Sequence, residues 1–197
     1  KNNFVKNVAT LVAGTSVAQL IPILISPILT RIYSPEDFGL YATIVAISSV
    51  CAISSCLRYE YAIVQEKNKE SAISLVKLSF YICFIFSFLI FISILFFQDS
   101  ITNFFNLDNL KNIIFFVPII VLSLGLFKTL NFWNTRTENY ENISLSTIYQ
   151  SVSVGAGQIF LKFSQFGLIF GYLFGHIIGV LSLLLRALKN DKELFSY

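Results

Sequence analysis

Charged residues are scarce in this sequence. Asp, Glu, Lys and Arg together make up 13% of its 197 residues, whereas a soluble domain carries roughly a quarter. There is no methionine and a single histidine, while 55% of the residues are hydrophobic and 21 are phenylalanine. This composition excludes an ordinary soluble domain, and we therefore expect an integral membrane protein.

Cysteine is also rare. The three cysteines, Cys51, Cys56 and Cys83, all fall within apolar stretches. Their number is odd and their spacing matches no metal motif, so we interpret them as small apolar packing residues. We expect neither a metal nor a cofactor. Because the chain begins at Lys1, without a methionine, we expect that the start of the protein is missing.

Six apolar stretches are long enough to cross a bilayer, which takes about 20 apolar residues in a helix. They lack sustained alternation, and a backbone in lipid must satisfy its own hydrogen bonds, so helices are expected and isolated strands are excluded. The sequence predicts an all-α fold, a bundle of six transmembrane helices that forms one membrane domain over residues 1–197. The predicted spans are 8–30, 38–64, 75–97, 113–132, 143–163 and 166–185.

Lysine and arginine are unevenly distributed over the predicted loops. If the N-terminus is cytoplasmic, eleven of the 14 lie on that side, and Arg31, Lys111 and Lys162 lie on the other. Cytoplasmic loops carry the excess of positive charge, so both termini are predicted to be cytoplasmic. The eleven are Lys1, Lys6, Arg58, Lys67, Lys69, Lys77, Lys128, Arg136, Arg186, Lys189 and Lys192.

Three predicted helices carry polar residues on one face. Such stripes either pack helix against helix or line a watery space. We favour a water-filled path lined by helices one, two and five, because two glutamines and a lysine are hard to explain by packing. The stripes are Thr15, Gln19, Pro22, Ser26 and Thr30 in helix one, Ser48, Cys51, Ser55 and Arg58 in helix two, and Thr147, Ser151, Gly155, Gln158 and Lys162, with Gln150 beside them, in helix five.

Proline and glycine mark two further features. Pro22 and Pro27 lie inside helix one, where each removes a backbone hydrogen bond and favours a kink. The kinks indicate either a bending gate or a fixed bend.

The sixth helix has glycines at every fourth position, which allows another helix to lie close. His176 lies beside this ridge and is interpreted as a packing residue, with a proton relay as the alternative. The glycines are Gly167, Gly171, Gly175 and Gly179.

Two charged groups fall at the inner end of the second predicted span. Arg58 and Glu60 are two residues apart, so they do not face each other on a helix, and each needs another partner. Arg58 is expected either to extend toward the cytoplasmic interface or to meet an anionic substrate.

The stretch "LTRIYSPEDFGLY" connects the first two spans. Ser34 can cap helix two and Pro35 suits its first turn, while Glu36 and Asp37 favour the positive helix end. Arg31 is left over. It is either paired with one of these acids or available to a phosphate at the exit of the path.

Three segments resemble the polysaccharide repeat-unit flippases of the multidrug/oligosaccharidyl-lipid/polysaccharide exporter superfamily. They are "TRIYSPEDFGLYATI", "LRYEYAIV" and "GQIFLKFSQFGLIFGYLFG". The resemblance implies a multi-pass transporter of the bacterial inner membrane with two lobes, of which this chain supplies the N-terminal lobe of six helices. We expect the basic segment after the sixth span to lead to a second six-helix lobe.

The resemblance also implies the substrate. Such proteins move an undecaprenyl-pyrophosphate-linked oligosaccharide, as in O-antigen or capsule synthesis, to the periplasmic leaflet by alternating access. The implied partners are this lipid-linked substrate, the bilayer, the second lobe and a polysaccharide polymerase, with no nucleic acid. Arginine binds phosphate bidentately. Arg31, Arg58 and Lys162 are therefore candidates for pyrophosphate contact, Gln19, Gln150 and Gln158 for sugar contact, Pro22 and Pro27 for gating, and Glu60 for coupling.

Other functions remain open at this stage. A cation-coupled exporter of small molecules in the same superfamily is expected to carry acids deep in its helices, and Glu60 is the one intramembrane acid of the prediction. A membrane-embedded glycosyltransferase or polymerase needs clustered acids for metal or base chemistry, and the loop acids are sparse. A scaffold without transport activity does not explain the polar stripes. We therefore do not expect an enzyme.

Overall fold

In a computed structural model of the chain, residues 2–105, 110–164 and 166–190 are described. Regular structure in these ranges is entirely helical, which confirms the all-α prediction. A short 3-10 helix, Ile114–Phe116, precedes α6. The α-helices are α1 Asn2–Ile32, α2 Pro35–Ser54, α3 Glu60–Gln65, α4 Lys69–Phe105, α5 Leu110–Ile113, α6 Val117–Arg136, α7 Tyr140–Phe160 and α8 Gly167–Asn190.

Five segments of the described chain are long and apolar enough to cross a membrane. They are Asn7–Ile32, Pro35–Ser54, Lys69–Phe104, Ile114–Arg136 and Gly167–Lys189. The protein is thus a multi-pass helical membrane protein. The predicted fifth span corresponds to α7, which has 21 residues but is richer in Ser, Thr, Asn and Gln than the other five. The count of six spans and the orientation of the bundle stay predictions.

The second predicted span is not one continuous helix. Helix α2 ends at Ser54, residues 55–59 form turns, and α3 begins at Glu60. Leu57 and Arg58 have φ angles of 47° and 62°, and a right-handed helix cannot continue through left-handed residues. The prediction of a single helix over residues 38–64 was therefore wrong. Arg58 lies in the turn, and Glu60 lies at the start of α3.

Helix α4 is longer than its predicted span of residues 75–97. It runs for 37 residues, or about 55 Å at 1.5 Å per residue, and so exceeds the hydrocarbon core of about 30 Å. Part of the predicted loop between the third and fourth spans is therefore helical. Near this end, Lys111 and Asp99 form an exposed ion pair at 2.7 Å. Predicted loop residues 106–109 and 165, together with Lys1 and Lys192, lie outside the described residues.

Helix α6 occupies the centre of the bundle. It packs against α2, α3, α4 and α8, while α7 packs between α1 and α8. The largest buried apolar cluster includes Ile44 of α2, Val121 of α6 and Ile169 of α8. Helix α1 is held mainly by α7, so much of its surface remains uncovered within this chain.

Another helix packs on the glycine ridge of α8, as the sequence predicts, and the structure shows that this helix is α7. An added methyl group at Gly171 would overlap the backbone nitrogen of Gln158, and one at Gly175 would overlap that of Val154. A methyl group at Gly157 of α7 would lie 3.0 Å from Cα of Gly171. The two backbones are therefore in direct contact, which only glycine permits.

Candidate functional site

The turn between α1 and α2 is fixed by a capping box. The Ser34 hydroxyl accepts a hydrogen bond from the Asp37 amide at 3.3 Å, and the Asp37 carboxylate accepts one from the Ser34 amide at 3.0 Å. Pro35 occupies the first turn of α2. Serine at the cap and proline beside it suit these positions for local reasons, so the predicted helix start is confirmed.

Arg31 stays outside this arrangement. It ends α1 and is exposed, and it forms no ion pair with a described residue, Glu36 and Asp37 included. The Asp37 carboxylate is instead bound by Ser34. Of the two interpretations of Arg31, the structure leaves the one in which its guanidinium is available to an anion.

One face of α1 is polar and exposed. Gln19, Pro22, Ser26 and Thr30 all lie on the surface of the chain, whereas Ala18 and Leu29 are buried against the rest of the bundle. We call these four exposed residues the α1 polar face. Because these four side chains are exposed on the part of the chain that the structure describes, helix packing within that part does not account for their polarity. Pro27 is exposed beside it, and the helix runs without interruption through both prolines.

A cavity of about 190 Å³ lies between α1, α7 and the start of α2. Its polar lining includes Ser26 of α1, Tyr41 of α2, and Ser151 and Gln158 of α7. Pro22 also lines it, so the cavity adjoins the α1 polar face. The structure thus brings together residues of the helices that the sequence assigned to one path.

Gln158 is held firmly at the wall of this cavity. Its side-chain amide donates to the backbone carbonyl of Leu168 at 3.2 Å, and the backbone carbonyl of Gln158 accepts a hydrogen bond from the Tyr33 hydroxyl at 2.7 Å. Burial, with a smaller contribution from the Asp37 carboxylate, raises the pKa of Tyr33 above the ordinary phenol value of 10.0, so this hydroxyl stays a neutral donor. Gln158 is therefore buried and fixed by these hydrogen bonds. Its side chain has little freedom to reorient as a sugar moves past it.

The polar stripe of α2 does not line the cavity. Ser48 and Ser55 are buried, and an added methyl group at Gly125 of α6 would lie 2.7 Å from the Ser55 hydroxyl. This stripe therefore packs against α6, and the prediction that it faces the path was wrong. Helix α2 contributes Phe38 and Tyr41 to the cavity instead.

Gln150 faces α8 rather than α1. Its amide nitrogen lies 2.7 Å from Nδ1 of His176, and the ring of Tyr172 lies 4.3 Å from the His176 ring between centroids. His176 is buried. This polar contact between α7 and α8 agrees with the interpretation of His176 as a hydrogen-bonded packing residue, and Gln150 does not line the cavity.

Glu60 has a partner that the sequence analysis does not predict. Its Oε1 lies 2.6 Å from Nζ of Lys128 in α6, and its side chain is 1% exposed. Oε2 makes no hydrogen bond to a described residue. The Lys128 ammonium also lies 5.5 Å from the centroid of the Tyr61 ring. The charge of Glu60 is thus balanced by Lys128 within the bundle. Arg58, in contrast, is exposed in the turn before α3.

The three cationic candidates lie at two opposite ends of the bundle. Arg31 and Lys162 share one end, because Tyr33 bonds to Gln158 near the end of α7. Arg58 follows α2, whose 20 residues span about 30 Å. The structure therefore does not bring Arg58 together with Arg31. Lys162 is exposed and lies 5.1 Å from the ring centroid of Phe163.

Arg58 lies in the turn between α2 and α3 with a left-handed backbone conformation. A glycine at this position therefore removes the charge without straining the backbone, so that the two effects on function can be separated. We expect Arg58→Gly to leave stability unchanged, because relief of about 1 kcal/mol of left-handed strain offsets the entropy cost of glycine. Surface polysaccharide made by a strain that depends on the full-length protein should fall severalfold, since the cation is lost. The measurements are thermal unfolding in detergent and quantitation of the polysaccharide.

Leu57→Gly is the matched control. It changes the neighbouring left-handed residue, which is also exposed, and removes no charge. It should leave both stability and polysaccharide unchanged. An equal loss of polysaccharide in the two variants would mean that the turn backbone, and not the guanidinium, matters.

Sequence reasoning missed Tyr33, Tyr41 and Lys128. The first two are the tyrosines of "LTRIYSPEDFGLY", and their signal was a polar hydroxyl on each side of the turn, at its edge for Tyr33 and within α2 for Tyr41. Lys128 is predicted from the sequence only as a residue of the cytoplasmic side and not as the partner of Glu60. Its signal was the match between one lysine and one acid near the same ends of two predicted spans.

A family described as "Polysaccharide biosynthesis protein" matches residues 28–192, which include the turn between α1 and α2, the cavity residues of α2, α7 and α8, and both members of the Glu60–Lys128 pair. No curated protein and no solved structure matches the chain.

Proposed function

Since the chain belongs to the polysaccharide biosynthesis protein family, we propose that it is the N-terminal lobe of a flippase. The proposed substrate is an undecaprenyl-pyrophosphate-linked oligosaccharide repeat unit, moved from the cytoplasmic to the periplasmic leaflet of the bacterial inner membrane by alternating access. A second lobe of six helices completes the transporter, and a polysaccharide polymerase acts on its product.

The observation that carries this proposal is the exposed α1 polar face. Polar side chains within a bilayer face a bundle interior or a watery cavity rather than lipid. Gln19, Ser26 and Thr30 are exposed on this chain, so another part of the transporter or water must border them. A sugar crossing the membrane needs such a hydrogen-bonding wall, and the cavity at Ser26 and Gln158 opens beside it.

The placement of the cations supports the same proposal. Arg58 lies at one end of α2, and Arg31 and Lys162 lie at the other end. A pyrophosphate that crosses between the leaflets would meet a cation where it enters and again where it leaves. Arg31 is the better candidate of the exit pair, because its planar guanidinium binds phosphate bidentately and has no carboxylate partner among the described residues.

A cation-coupled exporter of small molecules is the second candidate. It would use Glu60 as the group that binds the coupling ion. The ion pair with Lys128 at 2.6 Å favours the flippase, because a carboxylate that already has a lysine partner is a poor cation site.

The test uses a strain that lacks its own repeat-unit flippase and expresses the full-length gene. We expect surface polysaccharide to be restored, and Arg31→Gln to reduce it severalfold because the exit cation is removed. Lys111→Gln is the control, since Lys111 is a cation on the same predicted side but is paired with Asp99 at the surface, where such pairs contribute little. Failure of the wild-type gene to restore polysaccharide would contradict the proposal. An equal effect of both variants would remove Arg31 from the site.

A further inference from the structure

A second cavity lies at the end of the bundle opposite Arg31. It measures about 490 Å³ and lies between the start of α7 and the last turns of α8. Its polar lining consists of Asn142, Ser182, Arg186 and Lys189, and Leu185 completes the wall. No carboxylate of the described residues lines it. Two cations and two hydrogen-bonding side chains at one opening are suited to a phosphate group.

Arg186 is held in place for such a contact. Its Cζ lies 5.5 Å from the ring centroid of Tyr149, and it forms no ion pair with a described residue. Stacking on an aromatic ring orients a guanidinium and leaves its N–H groups free to bind an anion. Ser182 is in turn fixed by a hydrogen bond of 3.2 Å to Ser146.

An apolar groove lies farther along the same pair of helices. It measures about 600 Å³ and its lining includes Val152, Ala156 and Phe160 of α7, with Phe174 and Ile177 of α8. Within the bilayer, such a groove accepts a hydrocarbon chain and not a sugar, since its wall offers few hydrogen-bonding groups.

Exposed apolar side chains lie on α8 between the cationic cavity and the groove. Leu185 is 65% exposed and Leu181 is 50% exposed, and both lie on α8 between Arg186 and Ile177. Basic cavities between transmembrane helices on the cytoplasmic side bind phosphate headgroups. The predicted orientation places Arg186 and Lys189 on that side.

The length of the groove distinguishes two kinds of lipid. Along α8, the distance from Arg186 is about 14 Å to Ile177 and about 24 Å to Phe170, which also lines the groove. One half of the hydrocarbon core is about 15 Å thick. A phospholipid chain anchored at Arg186 would end near the beginning of the groove, whereas a long polyprenyl chain would fill it.

We propose that α7 and α8 bind the polyprenyl diphosphate carrier of the substrate in the cytoplasmic leaflet. The diphosphate lies in the cavity of Arg186 and Lys189, and the polyprenyl chain lies along Leu185 and Leu181 into the apolar groove. This loading site is separate from the α1 polar face. The inference rests on the proposed function, because that function supplies the carrier.

The experiment measures binding to the purified full-length protein in phosphatidylcholine nanodiscs. The probes are undecaprenyl diphosphate, farnesyl diphosphate with its much shorter chain, and phosphatidylglycerol. We expect undecaprenyl diphosphate to bind at least about tenfold more tightly than phosphatidylglycerol. The double variant Arg186→Gln/Lys189→Gln should weaken both diphosphates about tenfold, because it removes the charges that hold the headgroup. Ala156→Trp, which fills the groove, should weaken only undecaprenyl diphosphate.

Two matched controls belong to these variants. Lys67→Gln removes an exposed cation elsewhere on the predicted cytoplasmic side, and Ala46→Trp adds the same bulk to an exposed position of α2. Both should bind like the wild type. Thermal unfolding verifies that every variant is folded.

Three results would overturn the inference. These are equal affinity for phosphatidylglycerol, which would indicate a phospholipid site, wild-type binding by the Arg186→Gln/Lys189→Gln variant, and equal losses in the controls. If binding is as expected but the gene does not restore polysaccharide, the proposed translocation fails and the lipid site stands. If the gene restores polysaccharide while the double variant binds normally, the site fails and the proposed function stands.

Discussion

Replacing Lys128 with methionine is expected to destabilise the protein by about 3 kcal/mol, because it leaves a buried carboxylate without its partner. Glu60 is 1% exposed at its side chain, whereas Lys128 is 32% exposed. The reverse change, Glu60→Leu, leaves a lysine whose long side chain can reach water, so its effect should be clearly smaller. Thermal unfolding of the purified protein in detergent compares the two variants.

The double variant Glu60→Leu/Lys128→Met is the control for the pair. It removes both charges and leaves no buried ion, so it should be more stable than Lys128→Met alone. If the double variant is as unstable as the sum of the two single changes, the charges act independently, and the pairing of α3 with α6 contributes nothing to stability.

Gly171→Ala is expected to destabilise the protein by about 3 kcal/mol, at the upper end of the range for overpacking. The added methyl group would overlap the backbone nitrogen of Gln158, and a helix backbone cannot move aside as a flexible side chain can. Because α8 packs more extensively against α7 than against any other helix, the clash would push these two helices apart. The measurement is the melting temperature in detergent, together with the amount of protein in the membrane.

Gly39→Ala is the matched control on α2. No atom lies within 4 Å of the position that its Cβ would occupy, so the change should be neutral or stabilise the helix by up to about 1 kcal/mol. If Gly171→Ala proves as harmless as Gly39→Ala, the close contact between α7 and α8 is not required for the fold.

Local features were predictable because few residues decide them. Ser34 and Asp37 cap each other within one turn, and four glycines at regular spacing make one face of α8 flat whatever packs on it. The length of an apolar stretch likewise indicates a membrane helix, whichever helices pack against it. Helix α7 was the difficult case, because its many polar residues reduce the apolar signal although its 21 residues form a continuous helix.

The candidate site was predictable only in part. The polar stripes of α1 and α7 do border one cavity, through Ser26, Ser151 and Gln158. The stripe of α2 has the same periodicity but faces α6, because periodicity shows that a helix has a polar face and not where that face points. The direction depends on contacts with residues far away in the chain.

The sequence by itself determined that this is a helical membrane protein, where α2 starts, and which face of α8 another helix can approach. Each of these follows from residues within a few turns of one another. The tertiary structure decided that α2 breaks before Glu60, that Glu60 meets Lys128, and that Arg31 remains unpaired among the described residues. These outcomes depend on how separate helices fit together. Only the packing of the helices decides which polar and charged groups find a partner inside the bundle and which remain available to a substrate.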